Sequence, residues 1–391
     1  MDKIKILFTC ASMNVGGAEK SLINLLNLMD YSKYDVDLIL LQRQGAFLNQ
    51  IPKEVKLMDL RPKAKALYES GKRGFKDYPM LLIKYISTMI EFVVWRKYDV
   101  LRAHRWCDVY SKICEKVEKE YDVVIAFQSG DSTYYAFDKV KGKRYVTFYH
   151  TDISNISLAK DIEKKYLEKA DLVATISEKC VESVNNEFPE FKEKVICLEN
   201  LSSKKLIEDL AGKEAPREFI KYENIFKIVS VGRLVKIKGY DMVVDAAKIL
   251  MDNHVDFQWF IIGEGAERKA LEEQIRKNNV ESYVHLLGLH ENPYPYMKYS
   301  NMIVQSSRYE GKSVVLDEAK ILGKPIIVTN YNSVEDQITN EIDGLICEMS
   351  AVGLADCLKK YMKNPQIIKN KQEVYEGDVV SYMNILVGTN K

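Results

Sequence analysis

NMIVQSSRYEGKSVVLDEAKILGKPIIVT, residues Asn301 to Thr329, reads as strand, loop, helix and strand in one sweep. NMIVQS and KPIIVT are short apolar runs of the kind a parallel sheet buries on both faces, and between them Val315, Ala319 and Leu322 recur at helical intervals. Glu310 falls in the loop, and Glu318 follows after seven intervening residues, three beyond Val315 and four before Leu322. Its carboxylate therefore lies on the apolar face of the helix, where a charge needs a partner. Ser313 is placed to cap that helix, and the free backbone N–H groups of its first turn form a seat that a phosphate would fill. The plain alternative is a capped surface helix whose two glutamates are merely solvated.

The same alternation runs through the chain. IKILFTC, VDLILL, VKLMDL, DVVIAF, RYVTFY, LVATI and KVICL are strand candidates in the first half. FKIVSVG, DFQWFIIG, YVHLLG, NMIVQS, KPIIVT and GLICEM follow in the second, with helical patterns between them. That rhythm is the signature of α/β folds, so two doubly wound, Rossmann-like domains facing each other across a cleft are expected. The rhythm breaks in the charged stretch SSKKLIEDLAGKEAPREFIKYEN, which sets a first domain at 1–203, a linker at 204–224 and a second domain at 225–369.

Composition removes several classes of function. At 391 residues, 47% hydrophobic and 29% charged, the chain is ordinary globular material for two domains, and 57 basic against 56 acidic residues offer no footprint for nucleic acid. Seven scattered cysteines, odd in number and never closely paired, argue against a disulfide framework or a zinc site and fit the cytoplasm. The apolar run near the amino terminus passes straight into a glycine turn and reads as a first strand, not a leader. The only D-x-D string, Asp35 to Asp37, opens a strand, where a solvated start fits better than a metal clamp.

Other candidate residues stand at strand ends, where open α/β sheets bind ligands. Arg233 follows the strand in VSVGRLVKIKGYD, with Lys238 five residues on; a guanidinium fork and an ammonium suit two phosphates, although a solvated basic loop has the same composition. Gly16 and Gly17 separate the first strand from a helix and would let backbone approach a ligand; simple chain reversal is the competing reading. Neither that turn nor GEGAER, which starts at Gly263, has the G-x-G-x-x-G spacing, and the second strand ends without an acidic residue, so a dinucleotide enzyme fits poorly. His150, alone among five histidines, ends a strand, where it has a structural reading and a ligand-binding one.

Between Arg61 and Arg105 there are eleven Lys or Arg against four Asp or Glu, around the apolar run PMLLIKYISTMIEFVVW. With Lys84 and Glu91 inside it, the run is a poor membrane span. It reads either as an interfacial helix drawn to anionic lipid or as a core helix with basic flanks.

In their order, GGAEK, HTD, VGRLVKIKG, IIGEGAER, LLGLHENPYPYMKYSN and SSRYEGKSVVLDEAKILGKPIIVT resemble the retaining glycosyltransferases of GT-B fold in the large bacterial family four, typified by hexosyl and mannosyl transferases of surface polysaccharides. The resemblance covers nearly the whole chain. It implies transfer of a hexose-type sugar from a nucleoside-diphosphate sugar, UDP-linked first and GDP-linked second, to a glycan or lipid-linked acceptor, with no metal. Arg233 and Lys238 would neutralise the diphosphate, Glu310 would hold sugar hydroxyls, Glu318 would bind ribose, and amides from Gly311 to Val315 would meet phosphate and sugar. Gly263 would join the donor site, Gly16 and Gly17 would line the facing wall, and His150 would touch the sugar or assist the departing phosphate. The resemblance also implies that the tail, 370–391, packs back on the first domain, and that the enzyme works in the cytoplasm, at times peripheral on the inner face of the plasma membrane. One departure is Lys312, where relatives commonly carry an aromatic residue; it leaves the donor more open. Two readings compete with transfer: a nucleotide-sugar epimerase or hydrolase of the same fold, and a non-catalytic partner that binds glycan or protein.

Overall fold

The computed structural model describes residues 2–69, 78–95, 98–212, 214–368 and 378–389. Of the segments singled out above, 70–77 and 96–97 of the basic tract, and 370–377 and 390–391 of the tail, lie outside the described residues. The chain divides into two compact units between Leu201 and Ser202.

The first unit is built on a seven-stranded parallel sheet: β1 (Ile4–Cys10), β2 (Tyr34–Leu40), β3 (Lys56–Met58), β4 (Glu120–Ala126), β5 (Lys141–Tyr149), β6 (Leu172–Thr175) and β7 (Val195–Cys197), in the order β3-β2-β1-β4-β5-β6-β7. Both faces are covered. Ile6 and Phe8 of β1 and Val123 and Ile125 of β4 enter one core, while Leu7, Val124 and Ala126 enter the other, which is why these strands read as continuous apolar runs. The helix Val379–Val387 belongs to this unit: Tyr382, Met383 and Leu386 are buried in the first of those cores, and Arg144 Nε donates to the Leu386 carbonyl at 2.9 Å, satisfying one of the helix-end acceptors.

The second unit carries β8 (Phe226–Val231), β9 (Phe257–Ile262), β10 (Val284–Gly288), β11 (Met302–Gln305), β12 (Ile326–Thr329) and β13 (Leu345–Cys347), in the order β10-β9-β8-β11-β12-β13, again all parallel. From β8 the chain winds outward through β9 and β10, then returns to β11 on the other side. The loops after β8 and β11 thus flank a topological switch point, the place where open α/β sheets form a crevice. In the first unit the corresponding point lies between β1 and β4.

Two expectations are corrected here. The linker expected at 204–224 is largely structured: Lys204–Ala211 and Arg217–Ile220 are helices, Ser203 caps the former by accepting from Leu206 N at 3.3 Å, and Ile207, Ala211 and Phe219 are buried. Phe219 packs its ring 4.6 Å from Phe260 and 5.6 Å from Tyr296, both of the second unit. The charges that made this stretch look like a linker occupy the outer faces of amphipathic helices. The solvated strand start expected at Asp35–Asp37 is also wrong for Asp37, which is fully buried and accepts from Lys119 Nζ at 2.9 Å and Tyr121 Oη at 2.7 Å. A sheet covered on both faces leaves no wet side, so the carboxylate had to find an internal cation.

Phe219→Ala is expected to destabilise the second unit by about 3–5 kcal/mol in urea denaturation, the cost of emptying a packed aromatic site. A residue in a solvated linker would change stability by less than about 0.5 kcal/mol.

Candidate functional site

The switch point of the second unit gathers most of the expected residues. Lys238 ends the loop after β8, and Glu310 lies in the loop after β11; Lys238 Nζ is ion-paired with Glu310 Oε1. The same oxygen accepts from Ser307 Oγ at 2.6 Å and Gln305 Nε2 at 3.1 Å. Three donors converge on Oε1, whereas Oε2 takes no hydrogen bond among the described residues. Glu310 is held in place as a carboxylate with one oxygen spent and one available. Arg233, on the loop after β8, is exposed, and its guanidinium makes no ion pair among the described residues.

Further contacts stitch the two loops together. Arg308 N donates to the Ile237 carbonyl at 2.7 Å, and Arg308 Nη1 to the Lys236 carbonyl at 2.7 Å. Its guanidinium also grips Asp241 in a two-pronged pair, both N–H···O distances being 2.7 Å. Burial pushes the Asp241 carboxyl up, but this fork outweighs it and holds the group below the usual carboxylate range. Ser306 Oγ donates to the Lys238 carbonyl at 2.8 Å. Between them Gly239 adopts φ +67°, and a Cβ there would lie 2.1 Å from the Ser306 carbonyl oxygen, so only glycine lets the loops meet.

Gly263 has a comparable role. A Cβ on it would lie 1.9 Å from the Gly232 carbonyl oxygen, and its own N–H donates to Gly288 O at 2.8 Å. Its glycine is required for the close approach of the loops after β8 and β9, whatever else it touches.

Ser313 stands at the amino end of the helix Val314–Ile321 but does not cap it, contrary to expectation. Its hydroxyl donates to Gln305 Oε1 at 2.5 Å, while its N–H and carbonyl are taken by the Gln337 side chain at 2.6 and 2.9 Å. Gln305 thus bridges Glu310 and Ser313, because the strand end beneath offers the hydroxyl a stronger partner than its own helix. Gly311 and Lys312 complete the loop, and Val314 and Val315 begin the helix. Glu318, one turn further on, is buried and accepts from Tyr294 Oη at 2.6 Å; burial, then the carboxylate's charge, pushes that phenol's pKa far up.

Gly16, Gly17 and His150 belong to the first unit. A Cβ on Gly16 would lie 2.3 Å from Glu19 Oε2, so the carboxylate of the first helical turn sits over that glycine. Glu19 in turn accepts from Gln128 Nε2 at 3.0 Å, across that unit's switch point. His150 is stacked on Phe148, 5.5 Å between ring centres, and lies 5.0 Å from Phe127. Burial lowers its pKa to about 4, against a weaker opposing pull from the Phe127 backbone, so the imidazole is neutral at pH 7.

The sequence reading missed Gln305, Ser307, Arg308 with Asp241, Tyr294 and Gln337. A signal existed for the first two: QSSR is a polar run at the end of an otherwise apolar strand. None marked Gln337 or Tyr294, whose partners are more than twenty residues away.

Comparison with known proteins bears on this site. Residues 213–376, within the second unit, match the family model "Glycosyl transferases group 1". The 2-deoxystreptamine N-acetyl-D-glucosaminyltransferase of Niallia circulans is 26% identical over 227 residues, 57% of this chain and 58% of that one. An N-acetylgalactosamine-N,N'-diacetylbacillosaminyl-diphospho-undecaprenol 4-alpha-N-acetylgalactosaminyltransferase of Campylobacter jejuni is 25% identical over 346 residues, 86% of this chain and 84% of that one. Several other curated relatives are matched over only about half of their length. Among solved structures, Anabaena HepE in complex with UDP-glucose superposes with a TM-score of 0.69 at 17% identity, covering 99% of both chains, a likeness of fold. The two Rossmann-like units are those of the GT-B fold.

His150 generates a pH prediction. A base harder to protonate when folded leaves stability intact above its unfolded pKa near 6.5 and costs stability as pH falls toward 4. Wild type should therefore lose about 2 kcal/mol more than His150→Phe between pH 7 and pH 5 in urea denaturation. His285, also lowered to about 4 by burial, acts with the same sign in both proteins and cancels in the comparison.

Proposed function

We propose that this chain is a glycosyltransferase that moves a hexose-type sugar from a nucleoside-diphosphate sugar, UDP-linked first and GDP-linked second, to a glycan or lipid-linked acceptor of cell-surface polysaccharide. The observation that carries this reading is Glu310: a carboxylate fixed by Lys238, Ser307 and Gln305 through one oxygen, with the other unengaged among the described residues, at a sheet switch point whose β8 loop also carries the exposed Arg233. The family match of residues 213–376 supports it, as do the named activities of the Niallia and Campylobacter relatives and the UDP-glucose held by HepE.

In this reading Arg233 and Lys238 neutralise the diphosphate, including the charge that grows on it as the sugar leaves; two fixed cations perform that task without a metal. Glu310 Oε2 accepts from donor-sugar hydroxyls. The open amides at the start of the helix Val314–Ile321 supply further donors, with Gly311, Lys312 and Ser313 leading into it. Glu318 binds the ribose from beside Tyr294, and Gly263 lines the donor site. In the first unit Gly16 and Gly17 offer backbone to the ligand. His150, being neutral, serves a sugar hydroxyl by hydrogen bonding and does not act as a cationic phosphate clamp.

Neither glutamate suits the role of a glycosidase nucleophile, because Glu310 is pinned by three donors and Glu318 is buried against a phenol. Retention would then come from same-face attack by the acceptor hydroxyl as the diphosphate departs. The bond from the anomeric carbon to the diphosphate oxygen breaks, the acceptor oxygen bonds to that carbon, and the acceptor proton passes to the leaving phosphate oxygen. Peripheral attachment to the inner face of the plasma membrane belongs to the same reading, since it brings a lipid-linked acceptor within reach.

Thermal shift with UDP, GDP, ADP and CMP tests the donor class. One nucleoside diphosphate should stabilise wild type, by roughly 2.7 kcal/mol at about 100 times its dissociation constant, and Arg233→Ala should weaken that binding about 10-fold or more. No shift with any nucleotide favours a scaffold, and sugar release without an acceptor favours a hydrolase or epimerase. An inverted product by proton NMR rules out retention, and loss of turnover on adding EDTA rules out metal independence.

A further inference from the structure

Two cysteines that stand apart in the sequence are brought together in the second unit. Cys347 ends β13, and strand alternation sends its side chain, with that of Leu345, into one core while Ile346 faces the other. The helix Ala351–Lys363 returns over that same core, burying Leu354, Ala355 and Leu358 in it, with Cys357 half-buried against it. Its register on the strand is set at both ends. Ser350 Oγ caps it by accepting from Gly353 N at 3.0 Å, a Cβ on Gly353 would lie 2.5 Å from the Glu348 carbonyl oxygen, and Lys360 pairs with Glu341, ahead of the strand, at 2.8 Å. Cys357 is one turn beyond Gly353. A turn advances about 5.4 Å against about 3.3 Å for a strand residue, so Cys357 falls over the residue that precedes Glu348. That residue is Cys347, and the two thiols hydrogen-bond to each other.

The two sulfurs are unequal. The hydrogen bond from Cys347, aided by the Lys360 charge, holds the Cys357 thiol below its ordinary range against the pull of burial, while the same bond and then burial push the Cys347 thiol far up. Elsewhere burial pushes the thiols of Cys10, Cys107 and Cys114 up. A partly exposed sulfur that ionises readily, beside a buried thiol, is the arrangement of an attacking cysteine and its resolving partner. We propose that Cys347 and Cys357 form a redox-operated clasp, a reversible disulfide that ties β13 to the helix Ala351–Lys363 at the edge of the second unit's sheet. The oxidant is hydrogen peroxide. The Cys357 thiolate attacks one peroxide oxygen, the O–O bond breaks, and the departing hydroxide takes up the thiol's proton as water, leaving Cys357 as a sulfenic acid. Cys347 sulfur then attacks Cys357 sulfur, and the sulfenic oxygen leaves with the Cys347 proton as a second water. The two sulfurs together lose two electrons and the peroxide gains two; a dithiol reductant reverses the step. The clasp uses none of the residues assigned to sugar transfer and is independent of that reading.

The experiment is titration of the reduced full chain with hydrogen peroxide, followed by thiol counting after unfolding, mass spectrometry of non-reduced peptides and thermal melting. The count should fall by two from the seven thiols of the chain, with one cross-linked peptide joining Cys347 to Cys357, and dithiothreitol should restore all seven. Before oxidation, iodoacetamide should modify Cys357 at least about 10-fold faster than Cys347. The oxidised protein should melt about 5 °C above the reduced one, because the cross-link restricts the unfolded chain. C347S should stop at a sulfenic acid on Cys357 that dimedone traps, and C357S should leave Cys347 unoxidised. Should either variant fail to fold, the peptide map and melting of wild type decide the matter. Seven thiols surviving excess peroxide, a cross-link to any other cysteine, or an oxidised protein that melts no higher overturns the proposal. Nucleotide binding bears on sugar transfer alone, so the failure of either reading leaves the other standing.

Discussion

The ion pair between Lys238 and Glu310 is the constraint from which the second unit's site follows. It spans the switch point, joining the loop after β8 to the loop after β11, and it works only because those loops are drawn together by other means. The Arg308 fork on Asp241, the Arg308 bonds to the Lys236 and Ile237 carbonyls and the missing side chain of Gly239 all serve that approach. A carboxylate with one oxygen held by three donors cannot swing, so its second oxygen is aimed before any ligand arrives. Charge-assisted hydrogen bonds of this kind contribute roughly 1.5–3 kcal/mol each when well buried, ample to fix one rotamer.

The two glutamates that stand out in the sequence meet different ends. Glu318 sits in the helix interior and turns its carboxylate to a buried phenol; Glu310 sits in a loop and turns to an ammonium, a hydroxyl and an amide. Environment, not residue type, separates their chemistry. The first unit shows the same logic. Asp37 is paid for by Lys119 and Tyr121 inside the sheet layer, and His150, with aromatic rings on two sides, is driven to its neutral form.

The helix Tyr78–Trp95 breaks the rule that the rest of the molecule obeys. Elsewhere the large exposed apolar side chains are mostly scattered, as at Ile220 and Leu289, and need no explanation. Here four, Leu82, Tyr85, Ile86 and Met89, fall on one face while Ser87 is buried and Thr88 accepts from Arg105. No described helix is long and apolar enough to cross a membrane.

Apolar runs buried on both faces, separated by helical periodicity, determine two parallel sheets from the sequence alone, because strand and helix periods are local properties of the chain. The same patterns place Arg233, Lys238, Glu310 and the Val314–Ile321 helix at strand ends, since loop position follows from strand position. Partners could not be read that way. Whether Ser313 caps its helix or bonds to Gln305, whether Asp37 is wet or buried, whether 204–220 links two units or packs in one, and which side of the Tyr78–Trp95 helix meets water were decided by tertiary structure. Each depends on which groups the folded chain brings within reach, and hydrogen bonds and burial answer to distance in space, not to distance along the sequence.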